Sequence, residues 1–252
     1  MPDSRPVQLL LTGATGSLGT ALRAEAASRP DLNLLTPSRV ELDLCDSGSI
    51  TSYFQNHRID AVIHTAAMAR LRQCEEEPAA ALDVNTGGTA RLVSAVLAQS
   101  RPARFVHVST DGVYPSTDGG YTEDSPVGPS NRYGWSKLGA ECAVSCLRDY
   151  CIVRTRFFDP GTFRFDDAAE DLFSSMIPVG EVAEALLWLV GSSYSGVLNV
   201  GGPRGSDFDL LRKHLPGLKP CRRAEFAEAS EHTLATDASM DVSRWQALRA
   251  NS

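Results

Sequence analysis

Tyr133 and Lys137 stand four residues apart in Tyr133-Gly134-Trp135-Ser136-Lys137, a spacing that places a phenol and an ammonium on one face of a helix. A phenol with its ordinary pKa near ~10 is a reluctant proton donor at neutral pH, but an adjacent cation stabilises the phenolate and lowers that value. The pair therefore reads as an acid able to protonate a carbonyl. Twenty-three residues earlier lies Ser109-Thr110-Asp111-Gly112-Val113-Tyr114, at the end of an expected strand, where Thr110 can donate a hydrogen bond to an oxygen on which charge develops.

Such a reaction needs a partner that the chain itself does not carry, and the N-terminus supplies the place for one. The apolar run Val7 to Leu11 breaks into Thr12-Gly13-Ala14-Thr15-Gly16-Ser17-Leu18-Gly19 and then a helix-like stretch to Ser28. Strand, glycine turn and helix in that order form a dinucleotide cradle. The glycines permit a tight turn, admit backbone amides to a pyrophosphate and let helix and strand pack closely, and the helix N-terminus adds a partial positive charge. Gly13, Thr15, Gly16, Ser17, Leu18 and Gly19 are accordingly cofactor-binding candidates. At the end of the second strand the chain reads Leu35-Thr36-Pro37-Ser38-Arg39, a stretch without a carboxylate. Ser38 and Arg39 suit a ribose 2′-phosphate, which predicts NADP(H) in preference to NAD(H); the plainer reading of Arg39 is a solvated loop residue.

The elements that must position these groups alternate. Strands are expected at Leu32 to Leu35, Ala61 to His64, Phe105 to Ser109, Cys151 to Thr155 and Val197 to Val200. Helices are expected at about Ser49 to His57, Pro78 to Gln99, Asn131 to Tyr150, Gly180 to Gly191 and Asp207 to His214. Short, nearly all-apolar strands separated by helices indicate an α/β fold, a doubly wound parallel sheet of Rossmann type. We divide it into a dinucleotide-binding core, residues 1–156, and a shortened substrate-side region, residues 157–252, interwoven with the core as one structural unit.

Composition bounds the rest. With 252 residues, 42% hydrophobic and 22% charged, the chain buries a full core. A net charge of -7 argues against nucleic acid as a partner, no apolar stretch approaches the ~20 residues of a membrane span, and Met1 to Pro6 is too short and polar for a signal peptide. Six cysteines (Cys45, Cys74, Cys142, Cys146, Cys151, Cys221) without a Cys-x-x-Cys pair, and five dispersed histidines, predict free thiols in a reducing, cytoplasmic setting and no metal.

Taken together, Thr12 to Gly19, Leu42-Asp43-Leu44, His64-Thr65-Ala66-Ala67, Val84-Asn85, Ser109 to Tyr114 and Tyr133 to Lys137 resemble the extended short-chain dehydrogenase/reductase superfamily, and within it the dTDP-4-dehydrorhamnose reductase (RmlD-like) group. The resemblance covers about residues 7 to 156, and the remainder loosely. It implies that Asp43 and Leu44 border the adenine, that Ala66 and Ala67 lie along the cofactor, and that Asn85 supports the active-site helix and counts with the cofactor-binding set. It also implies that Lys137 binds the nicotinamide ribose and tunes Tyr133, while Thr110 and Tyr133 bracket the reacting oxygen of a nucleotide-linked 4-keto-6-deoxy sugar. The implied partner is that small-molecule substrate; a homodimer is left open by the sequence. Gly112 stands where the related dehydratases carry a Glu, which disfavours dehydration. A nucleotide-sugar epimerase and a non-catalytic module like the regulatory subunit of methionine adenosyltransferase are the alternatives. Arg70 and Arg72, after Ala67, read either as anion ligands or as solvated loop charges. The span between Arg156 and Gly180 is short for the group, so a substrate-covering helix is expected to be reduced or missing.

Overall fold

The computed structural model describes residues 5–227 and 235–251; most of the Met1 to Pro6 stretch read above lies outside the described residues. In chain order the elements are β1 (Val7–Thr12), α1 (Ser17–Ala26), β2 (Leu32–Leu35), α2 (Ser47–Asn56), β3 (Ala61–His64), α3 (Leu71–Glu76), α4 (Pro78–Ala81), α5 (Gly88–Leu97), β4 (Arg104–Thr110), α6 (Arg132–Val144) and β5 (Tyr150–Thr155). There follow β6 (Phe157–Phe158), β7 (Asp167–Ala169), β8 (Phe173–Ser174), β9 (Ile177–Pro178), α7 (Val179–Gly191), β10 (Gly196–Val200), β11 (Gly205–Ser206), α8 (Asp207–Leu211), β12 (Lys219–Cys221), α9 (Arg223–Ala227) and α10 (Ser243–Ala250).

Six strands form one parallel sheet in the order β10-β5-β4-β3-β1-β2, the doubly wound arrangement expected. Side chains alternate across it, as the two-residue period of a strand requires. Leu9 and Leu11 of β1, with Ile63, Val106 and Val153, meet α1 and α7 on one face; Leu10, Val62, Phe105 and Ile152 meet α2 and α5 on the other. Both faces being covered explains why the strands read as unbroken apolar runs. The order in which strands are added reverses between β1 and β3, β2 lying on one side and β3, β4, β5 and β10 on the other, so a crevice opens at their carboxyl ends, where such sheets bind ligands.

Three helices depart from the expected spans. The one expected over Pro78 to Gln99 is broken by a π-helical stretch, Leu82–Gly87, in which the buried Asn85 accepts from the Met68 amide and donates to the Ser136 hydroxyl; that side-chain demand distorts the ladder, as π stretches at functional sites commonly show. The helix expected to reach Tyr150 stops at Val144, its last turns tightening through Cys146 N–H to the Ala143 carbonyl and Leu147 N–H to the Val144 carbonyl. The third ends at Leu211 instead of His214. Between Phe157 and Pro178 lie four strands of two or three residues and no helix, which matches the expected loss of a covering helix. Beyond that span, α7 and β10 join the main core and sheet.

Candidate active site

Two clefts meet at the carboxyl ends of β1 and β3. One, of about 590 Å³, is lined by Thr15, Ser38, Arg39, Asp43, Leu44 and Ala66 among others. The second, of about 730 Å³, is lined by Gly16, Ser17, Leu18, Gly19, Thr110, Tyr133 and Lys137. Gly13 and Ala67 line both. Of the catalytic and cofactor-binding candidates, only Asn85 lines neither. It is buried and bonds Ser136 of α6, the helix-supporting position.

The glycine turn has the shape of a phosphate cradle. Gly13 has φ +74°, and a Cβ there would meet the Thr65 Oγ1 at 2.6 Å and the Ala66 nitrogen at 2.7 Å, so only glycine lets β1 turn against the end of β3. Gly16 is the N-cap of α1 and no side chain caps the helix, leaving amide donors for an anion. Ser17 Oγ donates to Asp159 Oδ2 at 2.9 Å, tying the start of α1 to the loop after β6.

The adenine side differs from the sequence expectation in one respect. Leu35 to Arg39 holds no carboxylate, yet Glu41 folds back and accepts from both the Ser38 amide (2.7 Å) and the Ser38 hydroxyl (2.8 Å). These bonds hold the Glu41 carboxyl below its ordinary range. Ser38-x-x-Glu41 has the spacing of a capping box, but only the Glu41-to-amide half is formed: the Ser38 hydroxyl donates to Glu41, and the Glu41 and Leu42 amides donate to the Ser38 backbone carbonyl. Arg39 is exposed and contacts Asp43 at 3.5 Å. A 2′-phosphate on Ser38 therefore has to displace Glu41, while Arg39 and Arg23, which lines the same cleft, are the cations at hand.

Thr110 ends β4 and Tyr133 opens α6, whose N-cap Asn131 accepts from the Gly134 amide at 2.8 Å. A Cβ on Gly134 would lie 2.4 Å from the Gly112 carbonyl, so the bare glycine backbone lets the two chemical elements approach. Thr110 Oγ1 accepts from the Gly112 amide and donates to Asp111 Oδ1; to serve a substrate oxygen its proton must rotate away from Asp111. Tyr133 departs from expectation. Burial, reinforced by Asp111 and Cys74, pushes its phenol above the ordinary value instead of lowering it. The physical reason is where Lys137 points: its Nζ donates to His107 Nε2 at 3.1 Å, and its own pKa is brought down to about 8 by burial, against the pull of Glu141.

Histidines 64 and 107 were missed by sequence spacing, although strand register pairs them directly across β3 and β4. Thr89 donates to the Asn85 carbonyl, so it accepts from His64 Nε2, and Thr12 donates to His64 Nδ1 at 2.6 Å. His64 is thus a fully satisfied neutral ring, held down to about 3 by burial and Lys137. His107 is likewise kept neutral by burial beside Lys137. Further along α6, Glu141 accepts from Ser109 and from Arg154 Nε and Nη2. Also unforeseen is Arg156, 3.5 Å from the buried Asp111 and facing the second cleft. Arg72 lines that cleft as well but pairs with Glu76 and is nearly fully exposed; Arg70 is exposed. No group of three metal-ligating side chains occurs among the described residues, and none of their helices is long and apolar enough to cross a membrane.

A family model described as the RmlD substrate binding domain matches residues 7–163. The chain belongs to this family. Members similar to it include a dTDP-4-dehydrorhamnose reductase of Mycolicibacterium smegmatis, 30% identical over 230 residues, spanning 83% of this chain and 69% of that protein. A second, of Sinorhizobium fredii, is 34% identical over 59% of this chain and 50% of its own length. The chain spans about half the length of several curated relatives it matches. Among solved structures, the dTDP-4-dehydrorhamnose reductase of Bacillus anthracis in complex with NADP shares the fold, with a TM-score of 0.84 at 24% identity over 98% of this chain and 93% of that one.

Proposed function

We propose that this RmlD family member is an NADP(H)-dependent reductase of a nucleotide-linked 4-keto-6-deoxy sugar. The observation that carries the reading is that Thr110, Tyr133 and Lys137, drawn from β4 and α6, line one cleft with the glycine turn and the N-terminus of α1. Support comes from relatives named dTDP-4-dehydrorhamnose reductase and from the NADP in the Bacillus anthracis structure.

The nicotinamide cofactor, when bound, supplies the hydride. Gly13, Gly16 and Gly19 leave room for its pyrophosphate, the uncapped amides of α1 offer donors to it, and Ser38, Arg39, Asp43 and Leu44 take the adenosine end. Lys137, already cationic at neutral pH and held by His107, is the donor for the ribose hydroxyls. Tyr133 keeps its proton until it is needed, because burial disfavours the phenolate. It releases that proton to the substrate oxygen as the oxygen gains charge, with Thr110 as the second donor.

An epimerase or a non-catalytic module is not favoured by relatives named as reductases, and a scaffold has no use for a buried lysine in the same cleft as that tyrosine. A homodimer belongs to the same reading; Leu82 and Trp135 stand exposed on neighbouring elements, and mass measurement in solution checks it. The test of the function is NADPH consumption with a dTDP-linked 4-keto-6-deoxy sugar. Turnover is expected with the sugar and not without it. Tight NADPH binding without turnover on any nucleotide-linked keto sugar would overturn the reading.

A further inference from the structure

Arg156 follows directly on β5, whose last residue Thr155 pairs in register with Thr110 of β4. Its side chain is about one-third exposed, and it lines the cleft that contains Tyr133 and Thr110. A guanidinium carries five N–H donors in a fixed fork. The described contact of this one is the 3.5 Å approach of Nη1 to Asp111 Oδ2, an oxygen that is buried and makes no hydrogen bond of its own. Asp207, the first residue of α8, is the second carboxylate that acts on the guanidinium; it is buried and fixed by a 2.7 Å bond from Ser174 Oγ. Burial pushes both carboxyls above their ordinary range while Arg156 pulls them down. A cation therefore has one buried acid at 3.5 Å and feels the charge of a second, with most of its donors left for whatever enters the cleft.

We propose that Arg156 is a substrate-contacting residue that binds the hydroxyl and ring oxygens of the sugar beside the carbon being reduced, with Asp111 and Asp207 as its positioning residues. This rests on the function proposed above. The sugar, and not the diphosphate, is the matching chemistry. Two carboxylates around one guanidinium cancel its field for an anion, whereas neutral oxygens need only directed N–H donors. The arrangement also places a fixed donor fork on the same wall as Thr110, so the sugar is oriented on the side from which Tyr133 delivers its proton.

The experiment is equilibrium binding of a dTDP-linked 6-deoxy sugar and, separately, of dTDP alone and NADPH, to the wild type, Arg156→Gln, Arg156→Lys and the double variant Asp111→Asn with Arg156→Gln. Arg156→Gln is expected to weaken the dTDP-sugar by about tenfold or more, in line with loss of hydrogen bonds to a charged group. Its affinity for dTDP and NADPH should stay within about twofold of wild type. Arg156→Lys should recover only part of the loss, since an ammonium lacks the fork. The double variant, which no longer buries an unpaired Asp111 charge, should remain as weak as Arg156→Gln. Restoration of sugar affinity in the double variant would assign Arg156 to charge balance alone and overturn the proposal, as would an unchanged dTDP-sugar affinity in Arg156→Gln. A wild type that binds NADPH but no nucleotide sugar would instead bring down the function on which it rests.

Discussion

Helices α6 and α7 are each 13 residues long and pack on the same parallel sheet, yet they bury opposite kinds of chemistry. The face of α7 turned to the sheet is Val182, Ala183, Leu186, Leu187 and Leu189. The corresponding face of α6 holds Ser136, Lys137 and Glu141 among its buried residues, each met by a polar group: Asn85 on Ser136, His107 on Lys137, Arg154 and Ser109 on Glu141. Hydrocarbon burial holds α7 without specific partners. In α6 the buried polar groups depend on named neighbours, and removing one leaves a desolvated charge or donor. The fold is carried by helices of the first kind, and the proposed chemistry by one of the second.

The sharpest way to test that division is to alter one group at a time. Tyr133→Phe should lower kcat by about 10²- to 10⁴-fold, the usual contribution of a positioned acid, with the melting temperature and NADPH affinity close to wild type. Steady-state kinetics beside a thermal melt would show this, and a kcat near wild type would remove Tyr133 from the chemistry. Glu141→Gln leaves the Arg154 charge without its buried partner and should cost about 3–5 kcal/mol of stability, read by denaturant unfolding. In α7, Leu186→Ala should cost about 2–5 kcal/mol by the same measurement, while kcat per folded molecule stays unchanged. If Leu186→Ala lowered kcat as Tyr133→Phe does, the two helices would not be separable in role.

The smallest effect is one of pH. Lys137 has its pKa brought down from 10.5 to about 8 in the folded protein. Between those values the unfolded chain carries the proton and the folded chain does not, so stability should rise with pH across that window. Lys137→Met should lack this rise. For catalysis the sign is opposite: Lys137 loses its charge above about pH 8, so wild-type activity should fall there if the ammonium is required. A wild-type unfolding curve flat from about pH 8 to 10 would show that the buried ammonium is not perturbed.

The same contrast explains what the sequence made legible. α7 and the strands are visible because apolar periodicity is a local property of a dozen residues. Gly13, Gly16, Tyr133 and Lys137 were also visible, since a turn or a helix face fixes their spacing within a few positions. Glu41 was missed because the reading of the second strand's end stopped two residues short, and the chain folds it back onto Ser38. His107 and Arg156 were missed for another reason: their partners, Lys137 and Asp111, arrive from other strands and helices, and no single-chain spacing encodes strand register. The early end of α6 was hidden as well, because no Gly or Pro marks it: Leu147 lies in the core just beyond it.

In the proposed reaction, hydride passes in this cleft to the 4-keto carbon of a nucleotide-linked sugar. The most direct measurement supplies NADPH deuterated at the transferable position together with a dTDP-4-keto-6-deoxy sugar and locates the label in the product. The account predicts one deuterium at C4 of the reduced sugar; a consumed cofactor whose deuterium appears elsewhere, or a sugar whose C4 stays unreduced, would contradict it.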